Sequence, residues 1–89
     1  MRLDLFLKTS KLIKQRSLAK KACRAGLVEV DGEKAKPARA VREGHTICIH
    51  SPTRLLEVRV IRVPEGNVSK SDAPSLYEIV RDERKRWEN

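Results

Sequence analysis

Among the first twenty-six residues, Arg2, Lys8, Lys11, Lys14, Arg16, Lys20, Lys21 and Arg24 stand against a single acid, Asp4. The chemistry such a set performs is phosphate recognition: a guanidinium grips a phosphate through parallel N–H donors, and an ammonium acts as a point charge. The formal net charge of the whole chain is +8, so nearly all of the excess lies in this stretch. A folded, cationic end points to a polyanion, and phosphate and shape contacts are expected to dominate, because Phe6, Tyr77 and Trp87 are the only aromatic residues available for stacking on bases.

Other chemistries fit the sequence less well. Asp4 has no carboxylate or histidine partner nearby in sequence, so its expected role is to orient an arginine or the start of a helix, not to move protons. His45, Cys48 and His50 invite a metal reading, but strand alternation puts His45 on the face opposite the other two and a fourth ligand is missing. No metal and no cofactor are expected. Cys23 lies in a stretch of small residues and reads as a buried thiol. Tyr77 and Trp87 read as packing residues of a final helix. Lys34, Lys36, Arg39 and Arg42 lie beside Glu33 and Glu43 and remain open between second-tier phosphate contacts and solvated charge.

The elements that must position the basic residues are short. Leu3, Phe6 and Leu7 obey the i, i+3, i+4 rule of a first helix, and Leu12 and Ile13 continue an apolar surface beyond Ser10. Leu18, Ala19, Ala22 and Ala25 predict a second helix whose narrow stripe allows close approach to a neighbour, with Gly26 as its stop. Val28 and Val30 run into Asp31-Gly32, a hairpin signal, and Ile47 with Ile49, then Leu56, Val58 and Val60, predict two more strands. Residues 64–72 read as a loop. Ser75 and Glu78 have capping-box spacing, which predicts a C-terminal helix over 73–89 carrying Leu76, Tyr77, Val80, Arg84 and Trp87 on one side. The expected fold is therefore α/β of the α+β kind, with two short N-terminal helices on a small antiparallel sheet plus that last helix.

At 89 residues the chain is one domain that buries about 60% of its unfolded surface, which favours a binding module over an enzyme with a supported cleft. No apolar run approaches the roughly 20 residues of a membrane span, the basic start lacks a secretory apolar stretch, and a cytoplasmic location without membrane contact is expected.

The ordered string Arg2-Leu3-Asp4-x-Phe6-Leu7, Arg16-x-x-Ala19, Gly26-x-Val28-x-Val30-Asp31-Gly32 and Gly44 before Ile47 resembles the S4 RNA-binding domain over roughly the first fifty residues. The resemblance implies an S4-type (αL) domain over 1–63 and assigns Arg2 and Arg16 to the arginines such domains use on RNA. Two positions depart from the family pattern: Gln15 stands where Ser often caps the helix, and His45 follows Gly44 where Asp is common. The short length and the late segment Ala73 to Tyr77 are similar to the stand-alone S4 factors of bacterial ribosome-associated quality control. That likeness implies large-subunit ribosomal RNA and peptidyl-tRNA as partners, help to an RqcH-type factor in adding alanine tails, a monomeric state and no bond chemistry. The fifteen-kilodalton heat-shock relative, which rescues large subunits carrying nascent chains, is the first alternative. Its longer basic C-terminal extension contrasts with the balanced charge of residues 64–89 here. An S4 module of an RNA-modifying enzyme is the second, against which Met1 directly before the motif and a capped final helix are taken to argue. DNA reading is disfavoured because no helix carries the usual base-reading cluster.

Overall fold

The computed structural model describes residues 1–85, in the order α1 (Leu3–Thr9), α2 (Arg16–Arg24), β1 (Val28–Val30), β2 (Glu33–Lys34), β3 (Thr46–His50), β4 (Arg54–Val60), a single 3-10 turn (Ala73–Leu76) and β5 (Tyr77–Arg84). Helix α1 forms because Leu3, Phe6 and Leu7 fall on one side and are fully buried there. Its first amides are tied down by a neighbouring segment: Leu3 and Asp4 donate to the carbonyls of Arg39 and Pro37 at 2.8 and 3.1 Å. Beyond Ser10 the chain reverses through Lys11, which takes a left-handed conformation at φ 63°.

Helix α2 closes as the glycine signal predicts. Gly26, at φ 76°, donates to the Cys23 carbonyl at 3.0 Å and Leu27 donates to that of Ala22 at 3.0 Å, the paired bonds of a Schellman motif. Its packing face is narrower than the expected stripe. Ala19 and Cys23 are buried, whereas Ala25 is exposed and Leu18 retains 46% of its surface. The reason is the close approach to α1, which selects the smallest side chains; Leu18 is rotated about 100° from Ala19 and lines an open groove with Leu12, Ile13, Ala22, Leu27 and Ile49.

The sheet is antiparallel throughout, in the order β2-β1-β3-β4-β5. Asp31 and Gly32 both adopt positive φ, 50° and 85°, as a two-residue hairpin of matching twist requires. The register sets Val28 against Ile49, Val30 against Ile47 and Ile47 against Val58, so one face carries an unbroken apolar surface under the helices.

The C-terminal helix expected over 73–89 is corrected. Among the described residues of that stretch only the 3-10 turn Ala73–Leu76 is helical, and Tyr77–Arg84 forms β5, pairing with β4 from Val60↔Tyr77 to Arg54↔Arg84 with a bulge at Glu57/Val58; positions 86–89 of the expected helix lie outside the described residues. Ser75 hydrogen-bonds the Asp72 carbonyl at 2.6 Å instead of joining Glu78 in a capping box. The open edge of β4 decides the outcome: the chain 77–80 contains Tyr, Ile and Val, which suit a pleated surface, and the ladder satisfies backbone groups that a C-terminal helix would leave unpaired on β4. Arg54 fastens the pair with both Nε and Nη2 on Asp82 at 2.8 Å. Tyr77 is half-buried against the core, as a packing residue should be, and Trp87 lies outside the described residues.

Candidate nucleic-acid interface

The centre of the basic end is a carboxylate. Asp4 has no exposed side-chain surface, and each of its oxygens is used. Oδ1 accepts the Leu5 amide at 2.8 Å and Arg2 Nε at 3.2 Å; Oδ2 accepts Arg16 Nε at 3.3 Å and Arg2 Nη2 at 3.4 Å. Burial alone would raise the Asp4 carboxyl, but the hydrogen bond and charge of Arg16, the Leu5 amide and the charge of Arg2 outweigh it and hold the group below its ordinary value. Asp4 is therefore ionised at neutral pH and bridges two guanidiniums that are 49% and 41% exposed. This is the orienting role expected of it.

The two arginines are held differently. Arg2 lays one edge on Asp4, with Nε and Nη2 both engaged, and keeps its Nη1 donors. Arg16 spends only Nε, so Nη1 and Nη2 remain as a complete fork for a phosphate. Gln15, the residue before Arg16, makes no side-chain cap on α2, which leaves the first-turn amides to other partners beside that fork.

Helical geometry sorts the remaining bases. Arg16, Lys20 and Arg24 follow each other at intervals of four along α2 and form one row, shifted by about 40° per step. Lys21 lies about 100° around the helix from Lys20 and about 60° from Arg24, its i, i+3 neighbour. Lys8 occupies the last turn of α1, where a cation also complements the helix dipole, and Lys11 and Lys14 are exposed on the connection between the helices. Among the described residues none of Lys8, Lys11, Lys14, Lys20, Lys21 and Arg24 makes an ion pair with an acid, in contrast to Arg54 and Arg81 on the sheet. The structure thus joins Arg2 and Arg16 through Asp4, continues Arg16 along α2 with Lys20 and Arg24, sets Lys21 beside Arg24, and carries Lys8, Lys11 and Lys14 on the end of α1 and the connection.

The other candidate centre is already committed to internal contacts. His50 Nε2 is 3.0 Å from Glu29 Oε2 and 3.6 Å from Cys48 Sγ, while His45 Nδ1 accepts the Arg42 amide at 3.1 Å. Among the described residues no three His, Cys, Asp or Glu side chains converge as a metal site would need. Burial, joined by the negative charges of Glu29 and Glu57, pushes the Cys48 thiol up; burial and the charge of Asp4 do the same to Cys23. Neither is a thiolate at neutral pH.

A buried carboxylate that aims two guanidiniums outward from a pair of short helices defines a small anion-binding module on an antiparallel sheet. Residues 1–47 match the family model described as the S4 domain, and the chain belongs to the S4 domain family. It is 43% identical to the "RQC P-site tRNA stabilizing factor" of Halalkalibacterium halodurans, with 93% of each chain covered. It is 37% identical to the "Heat shock protein 15 homolog" of Aeromonas salmonicida, over 100% of this chain and 68% of that one. In structure it is similar to Vibrio cholerae Heat Shock Protein 15, described as trimeric, with a TM-score of 0.83 at 26% identity over 90% of this chain and 81% of that chain. Among the described residues no helix is long and apolar enough to cross a membrane.

Proposed function

We propose that this protein is a non-enzymatic RNA-binding factor of bacterial ribosome-associated quality control that binds the large ribosomal subunit through ribosomal RNA and peptidyl-tRNA. The observation that carries the reading is the Arg2–Asp4–Arg16 arrangement, in which a buried anion fixes two phosphate-seeking groups ahead of binding. Similarity over nearly the full chain to relatives named for stabilising P-site tRNA supports tRNA as one of the polyanions. Phosphate contacts of this kind position a partner without transforming it. The module acts as a cationic wedge between two RNAs, holding peptidyl-tRNA so that an RqcH-type factor can add alanine residues to the obstructed chain. It works as a cytoplasmic monomer; the run of charged residues Arg81, Asp82, Glu83 and Arg84 along the edge strand β5 discourages strand addition by another copy.

A heat-shock-type role on large subunits that carry nascent chains is the second reading, favoured by the TM-score of 0.83 to Vibrio cholerae Heat Shock Protein 15. Co-purification distinguishes them. Tagged wild-type protein is expected to enrich large subunits bearing peptidyl-tRNA together with an alanine-tailing factor, and Arg2→Ala with Arg16→Ala to lose them. Large subunits without the tailing factor would favour the heat-shock-type role. An absence of ribosomal particles would overturn both.

A further inference from the structure

The segment between β2 and β3 is strapped along the start of α1. Leu3 donates to the Arg39 carbonyl and Val41 to that of Met1, both at 2.8 Å, and Arg2 and Ala40 are antiparallel bridge partners. Bonds placed on either side of such a pair, instead of within it, mark the close type, with Cα atoms about 4.5 Å apart and both side chains on one face. The methyl group of Ala40 therefore stands next to Arg2. Alternation carries Val41 to the other face, and Val41 is indeed core, 1% exposed. The same alternation, continued by one residue, would return Arg42 to the face of Arg2 as its diagonal neighbour, where ladder geometry sets such pairs about 7–8 Å apart, well within the span of two long side chains. Its backbone is pinned: the Arg42 amide donates to His45 Nδ1 at 3.1 Å and its carbonyl accepts the His45 amide at 3.2 Å. The side chain is exposed and, among the described residues, makes no ion pair.

We infer that Arg42 is a third arginine of the phosphate-binding site centred on Asp4, and that Ala40 is the small residue that keeps the approach to Arg2 open. The inference rests on the RNA reading above and adds residues to its site. His45 has a part in it, because a ring nitrogen that accepts the Arg42 amide holds the turn that presents Arg42. The sequence leaves this base undecided because the strap that aligns it with Arg2 joins residues some forty positions apart.

The test is equilibrium binding of full-length, fluorescently labelled protein to purified bacterial large ribosomal subunits loaded with P-site tRNA. Arg42→Ala is expected to weaken binding about three- to five-fold and to reduce the slope against log salt by about 0.7–0.9, the loss of one phosphate contact. Ala40→Glu sets a carboxylate beside Arg2 and is expected to weaken binding at least as much as Arg2→Ala, with the thermal midpoint unchanged because position 40 is exposed. Arg62→Ala removes an equal charge beyond β4 and is expected to change affinity less than two-fold. Arg42→Ala behaving like Arg62→Ala while Arg2→Ala loses binding would overturn the inference and leave the RNA reading standing. Failure of the wild type to bind would overturn both.

Discussion

At the scale of single residues, Asp4 organises the site, and its ionisation gives a test with a definite sign. Its carboxyl is held below the ordinary value, so its contribution to stability is fully present above about pH 4, the unfolded-state value, and is lost as pH falls through the lower folded value. Asp4→Asn removes that contribution at every pH. The variant is expected to be about 1–3 kcal/mol less stable than wild type at pH 7 in denaturant unfolding, with the gap closing toward pH 3. An equal gap at both pH values would mean that packing, not charge, is what Asp4 supplies. Arg16→Lys separates charge from shape: an ammonium cannot serve Asp4 and a phosphate fork together, so RNA affinity is expected to drop about ten-fold at unchanged net charge. Wild-type affinity in that variant would reduce Arg16 to a point charge. Asp4 was legible beforehand as an orienting residue because it is the lone acid among eight bases. Its burial and its division between two arginines required the fold.

At the scale of elements, what the sequence conveys depends on whether a contact is local. The α1 periodicity, the Gly26 stop, the Asp31-Gly32 turn and the alternation in β3 and β4 involve neighbours a few residues apart, and all of them hold. The face of α2 and the fate of residues 77–84 depend on distant partners, α1 and the β4 edge, and there local pattern misleads. Tyr77, Val80 and Arg84 share a helical side only until β4 offers a ladder. The α2 phase is testable by a pair of opposite substitutions. Leu18→Ala is expected to cost under about 1 kcal/mol because Leu18 remains 46% exposed, although it removes the largest side chain of the expected stripe. Ala19→Leu adds apolar bulk and is expected to cost about 1–3 kcal/mol by overpacking against α1. Thermal or urea unfolding reads both, and the reverse order would restore Leu18 to the core. Gly26→Ala belongs here too: a residue at φ 76°, whose Cβ would meet the Lys34 side chain at 3.4 Å, is expected to cost about 1 kcal/mol.

At the scale of the whole molecule the charge is one-sided. Apart from Arg16, which Asp4 holds, the bases on the helices have no acidic partner among the described residues, while the open face of the sheet mixes signs, with Glu29, Cys48, Glu57 and Arg81 in one cross-strand row. Net charge and local contact therefore make different predictions for salt dependence. Binding to nucleic acid releases counterions in proportion to the phosphates actually neutralised, so the slope counts contacts and is blind to charge elsewhere. If Arg2, Arg16, Lys20 and Arg24 each neutralise a phosphate on a flexible strand, the slope of log affinity against log salt is about −3, and affinity falls about fifty-fold between roughly 50 and 200 mM salt. Lys20→Ala should lower the magnitude of that slope by about 0.7. Glu57→Gln raises the net charge by the same unit on the far face and should leave the slope where it was, even if the affinity rises slightly through the long-range field. The comparison needs only titrations of the two variants against one RNA at three or four salt concentrations. Equal and opposite changes in slope would show that the protein binds RNA as a diffuse cation. A change confined to Lys20→Ala would show that the α2 row is the surface on which the phosphates sit.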